Sequence, residues 1–83
     1  MQRGVLVSVD RTQWHLVGYG SEREYAPGVM GNAGVSRDVG GWSLYVGGEC
    51  VAQGEVQWQP GQETWQAAER ACDEAAKQWT KGA

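Results

Sequence analysis

The side chains able to carry chemistry are few, and their spacing assembles no catalytic set. The single histidine, His15, lies in the run Gln13-Trp14-His15-Leu16-Val17-Gly18-Tyr19. Strand alternation there sends it away from Trp14 and Leu16, so it reads as a surface strand residue rather than a base. Serines 8, 21, 36 and 43 sit in no Gly-x-Ser-x-Gly elbow. Cys50 and Cys72 have no CxxC spacing and one distant histidine, too few ligands for a structural zinc. Both are expected as free thiols on core faces, where a thiol is inert, with a disulfide as the alternative. The carboxylates Glu22/Glu24 and Glu49/Glu55 are close in sequence, but their polar contexts raise no pKa for acid–base work. With no nucleophile–base arrangement, the expectation is a protein that is not an enzyme and takes no metal and no cofactor.

Composition narrows the partners. The 83 residues suffice for one small domain, residues 1–83, with a limited core. Seven Lys+Arg against ten Asp+Glu give a formal charge of -3. The cations (Arg3, Arg11, Arg23, Arg37, Arg70, Lys77, Lys81) are scattered, so no basic stripe exists to neutralise phosphates. Direct nucleic-acid binding and docking on an anionic membrane are thereby disfavoured, while a partner with a basic surface suits the balance. No apolar run approaches the roughly 20 residues of a membrane span. The segment Met1–Asp10 has one cation and too short an apolar run for a signal peptide, which points to a reducing cytoplasm. Trp14, Trp42, Trp58, Trp65 and Trp79 are the bulkiest apolar groups, and three or four of them are expected in the core.

These groups must be positioned by a few elements. Residues 4–9 alternate with β-branched bias, Asp10-Arg11-Thr12 reads as a turn, and 13–19 as a second strand, so that 4–19 form a hairpin. Residues 20–41 lose regular patterning and carry glycines at 28, 31 and 34, which reads as a long Gly-rich loop suited to binding a partner. Residues 42–58 form a second hairpin around Gly47-Gly48, a dipeptide free to take φ > 0 twice. A two-residue loop pairs Val46 with Glu49 but sets Trp42, Leu44 and Val46 against polar positions. A bulged register unites them with Cys50 and Ala52 and is preferred. Residues 62–79 form an amphipathic helix with Trp65, Ala68, Cys72, Ala75 and Trp79 as its apolar stripe. Asp73 and Lys77 are expected to pair on its polar face. The fold class is therefore α+β, an antiparallel sheet of about four strands (two β-hairpins) packed on one C-terminal helix.

The hairpin Trp42-Ser-Leu-Tyr-Val-Gly-Gly-Glu-Cys-Val-Ala-Gln-Gly-Glu and the helix Trp65-Gln-Ala-Ala-Glu-Arg-Ala-Cys-Asp-Glu-Ala-Ala resemble the hairpin-plus-helix of small bacteriophage and mobile-element proteins, anti-CRISPRs among them. The resemblance covers about half the chain. It implies a single-domain, cofactor-free inhibitor that occupies a surface of a host defence complex, such as a CRISPR effector. From the residues themselves, the binding surface is expected to join Glu22, Glu24, Tyr25, Met30 and Asp38 of the loop to Glu49 and Glu55 of the second hairpin, facing a basic, partly apolar patch. The alternative is a structural or assembly subunit that forms a homodimer through its sheet.

Overall fold

The computed structural model describes residues 10–18 and 20–80. Five strands, β1 (His15–Val17), β2 (Gly20–Ala26), β3 (Val29–Ser36), β4 (Val39–Val46) and β5 (Glu49–Gln57), precede one helix, α1 (Thr64–Thr80). The strands form one antiparallel sheet in the order β1-β2-β3-β4-β5, an α+β meander with five strands where about four were expected. The first strand of the expected N-terminal hairpin, residues 4–9, lies outside the described residues.

The largest correction concerns residues 20–41. They are no loop but the centre of the sheet: β2, β3 and the start of β4. Two-residue turns make this possible. Pro27-Gly28 joins β2 to β3 with Gly28 at φ 82°, and Arg37-Asp38 joins β3 to β4 with both residues at positive φ, 53° and 66°. Positive φ at both central positions gives a hairpin turn the twist its strands need, even without glycine.

The Gly47-Gly48 turn resolves the register conflict in favour of both readings. Val46 pairs with Glu49 across a two-residue loop, and a bulge at Val51 then shifts the register so that Leu44 pairs with Ala52 and Trp42 with Gly54. The extra residue rotates β5 and returns the apolar positions of both strands to one face. Cys50, which pairs with Tyr45 before the bulge, is left exposed on the other face, contrary to the expected core position. Cys72 is buried under the helix, so the sheet separates the two thiols and no disulfide joins them.

Helix α1 covers one face of the sheet. Its buried residues are Thr64, Ala67, Ala68, Cys72 and Ala76, so the contact stripe is turned toward smaller side chains than the Trp-bounded stripe expected. Small residues let the helix sit directly over strand glycines. A Cβ added to Gly40 would lie 2.8 Å from the Thr64 carbonyl oxygen and 3.1 Å from Ala68 Cβ, and one on Gly31 would lie 2.8 Å from Cys72 Sγ. Val29, Leu44, Cys72 and Ala76 form the core, with Trp14, Tyr25, Trp42 and Val51 packed around it. No tryptophan among the described residues is fully buried; Trp58 is 54% and Trp79 46% exposed. The indoles frame the core instead of forming it, because the close helix–sheet approach leaves room only for small groups.

Candidate functional site

The two faces of the sheet carry different chemistry. On the helix side, polar groups pair with one another. Asp73, on the turn of α1 beside Cys72, accepts hydrogen bonds from Tyr25 Oη at 2.7 Å and Trp14 Nε1 at 3.0 Å, and meets Arg23 Nη1 at 3.4 Å. The Arg23 guanidinium stacks 4.4 Å from the Tyr25 ring centroid, and Trp14 meets the same ring edge-on. One turn earlier, Trp65 Nε1 donates to Ser21 Oγ, which donates to Glu69. Burial pushes the Tyr25 phenol well above its usual range, reinforced by its hydrogen bond to Asp73, and burial likewise raises the Cys72 thiol. A protonated, enclosed thiol is a poor nucleophile, and this cluster ties β2 to the helix. Asp73 was expected on the solvated face, paired with Lys77. Lys77 bonds Glu74 at 3.0 Å instead, and Asp73 faces the strands. Its inward role had one sequence signal, four residues' spacing from Glu69, which places both carboxylates on one helix side.

The opposite face is covered by no element among the described residues. The cross-strand registers arrange its side chains in rows. Glu24, Met30, Tyr45 and Cys50 make one row; His15, Glu22, Asn32, Ser43 and Gln53 make the next. Beyond them Gly34 and Gly41 are paired, followed on β5 by Glu55. None of these residues is buried. His15 Nε2 lies 3.7 Å from Glu22, in the outward strand position expected for it.

Of the expected partner-binding residues, Glu22, Glu24, Met30 and Glu55 therefore share one surface. Asp38 stands exposed in the β3–β4 turn at one end of the sheet, and Glu49 in the β4–β5 turn region at the other. Tyr25 does not join them: strand alternation after Glu24 puts it on the helix side with Ser21 and Arg23, where its hydroxyl is held by Asp73. No Lys or Arg occupies an outward strand position on this face among the described residues. Arg23 points to the helix, while Arg11 and Arg37 lie in turns.

Asn32, Ser43, Tyr45 and Gln53 complete the surface and were missed as candidates because their segments were read without the pairing that unites them. Among the described residues, no three His, Cys, Asp or Glu side chains converge on a point that could hold a metal. No helix of the described residues is long and apolar enough to cross a membrane. No protein-family model matches the chain, and no curated protein or solved structure matches it either.

Proposed function

We propose that the protein is a non-enzymatic binding protein, an inhibitor of the phage-encoded, anti-CRISPR-like kind, whose open sheet face occupies a basic surface of a nucleic-acid-handling defence complex in the host cytoplasm. The observation that carries this reading is the gathering of Glu22, Glu24 and Glu55 with Met30 and Tyr45 on one face that, among the described residues, no element covers and from which no strand cation projects. Mixed apolar and acidic groups suit a partner whose basic residues are spaced among apolar ones. The three carboxylates are too few to copy a phosphate ladder, so the reading is surface occlusion rather than nucleic-acid mimicry.

A tagged protein used to capture partners from host cytoplasm at low and high salt tests this. The expected result is stoichiometric capture of a nucleic-acid-handling complex, weakened by salt and lost in the triple variant Glu22→Lys/Glu24→Lys/Glu55→Lys. Capture that the triple variant leaves intact rejects the open face. A second reading, self-association through the sheet, draws on β5, a nine-residue strand with no partner on its outer edge among the described residues. Such an edge can pair with another copy. Recovery of the protein alone, with a concentration-dependent dimer in sedimentation, favours that reading.

A further inference from the structure

The open face holds a trench. Gly34 and Gly41 sit side by side on β3 and β4, so the row that other registers fill with side chains is bare backbone there. The depression, about 690 Å³, is bordered by Asn32, Ser43 and Gln53 on one bank and ends at Glu55. It continues along Gly34 and Gly41 toward Ser36 and Val39 on the other bank, with Arg37 at the turn. Its floor is peptide planes whose N–H and C=O groups are already paired within the sheet, so a further strand gains no ladder there.

We propose, resting on the open-face reading above, that this trench receives an arginine side chain of the protein partner. A guanidinium is planar and weakly hydrated, so it can lie flat on glycine peptide planes where a bulkier side chain would otherwise stand. Its forked donors match the Glu55 carboxylate at the trench end and the side-chain oxygens of Asn32, Ser43 and Gln53 along the bank. The charge is complementary: Glu55 has no ion-pair partner among the described residues, unlike Glu22, Asp73 and Glu74. Arg37 stands in the turn at the far end of the depression, next to Asp38 in sequence. Lysine is the poorer occupant, because an ammonium neither stacks nor forks.

The test is an amide-resolved NMR titration with two capped peptides, Ac-Gly-Gly-Arg-Gly-Gly-NH2 and its lysine counterpart. The expected result is saturable shifts at Gly34, Gly41, Ser43, Gln53 and Glu55, with the arginine peptide the tighter. Glu55→Gln weakens binding about tenfold, the size of one charge-assisted hydrogen bond. Gly41→Val, which fills the trench, abolishes it. That variant keeps the fold, since a Cβ on Gly41 meets nothing within 4 Å and Gly41 is not among the positive-φ glycines. Shifts centred on Glu22 and Glu24, equal for both peptides and untouched by Gly41→Val, overturn the trench while leaving the acidic-face reading in place. An absence of any open-face shift overturns the trench and, together with salt-insensitive capture, the reading beneath it.

Discussion

Asp73 shows how one side chain joins two elements distant in sequence. Its Oδ1 receives donors from Trp14, Arg23 and Tyr25, all on the β1–β2 side, while the residue itself belongs to the helix. Asp73→Ala leaves a guanidinium, a phenol and an indole without their acceptor, and the expected cost is about 2–3 kcal/mol, read from urea midpoints. A loss below ~0.5 kcal/mol would show the cluster to be incidental. The same cluster sets an alkaline limit. Tyr25 and Cys72 have folded pKa values raised above their ordinary values of 10.0 and 9.0, chiefly by burial. With the folded values raised, the unfolded chain ionises first as pH rises and that ionisation favours unfolding, so their contribution is complete below about pH 9 and is lost progressively above it. The melting temperature is expected to fall more steeply above that pH in the parent than in Tyr25→Phe; parallel curves would remove Tyr25 from the account. At the acid end, Asp10 has its pKa lowered by hydrogen bonds from the Thr12 hydroxyl and amide, the turn expected from Asp10-Arg11-Thr12.

At the scale of elements, adjacent glycines on β4 have opposite roles. Gly40 faces the helix, where any Cβ is pressed against Thr64 and Ala68; Gly41 faces the open side, where a Cβ meets nothing. Gly40→Ala is therefore expected to destabilise by about 1–3 kcal/mol through overpacking. Gly41→Ala is expected to stabilise by about 0.5–1 kcal/mol, since alanine loses less backbone freedom on folding. Thermal unfolding of the pair checks both signs, and equal effects would contradict the assignment of faces. The helix follows the same logic. Thr64, Ala68, Cys72 and Ala76 recur every four residues because only small groups fit against Gly31 and Gly40. Hydrophobicity alone favours Trp65 and Trp79 for the stripe. The tryptophans lost it on size, a property that depends on what lies opposite.

Across the described residues as a whole, the sheet divides a packed side from an exposed side, and each cysteine reports one of them. Cys50 lies on the open face next to Gln53, and Cys72 under the helix. A thiol reagent is expected to modify one cysteine in the folded protein and both in denaturant, with Cys50→Ser abolishing the fast reaction. Equal fast labelling of Cys72 would mean that the helix opens readily. The division also explains the placement of charge. Carboxylates on the helix side, Glu69 and Asp73, are committed to internal donors, whereas Glu24 and Glu55 on the open side have no ion pair among the described residues. The open face is thus acidic by what remains after the fold has consumed the rest.

The amphipathic helix, the Gly47-Gly48 turn, the Asp10 turn and the outward position of His15 were legible in the sequence, because each depends on residues within a few positions of one another. The middle of the sheet was not. Turns recur about every ten residues, at Gly18, Gly28, Arg37-Asp38 and Gly47-Gly48, and that rhythm marks a meander. Glycine masked it, since the same residues that lower strand propensity at 31, 34, 40 and 41 are there for close approach or open space. Local patterning determined an α+β chain with a C-terminal helix and a surplus of carboxylates. Only tertiary structure decided that Tyr25 turns inward, that Cys50 turns outward, and that Glu22, Glu24, Met30 and Glu55 share a face. Tyr25 is placed by alternation in a strand that only pairing with β3 reveals, while the bulge at residue 51 resets β5 and sends Cys50 outward, an effect of pairing between strands that no single strand contains.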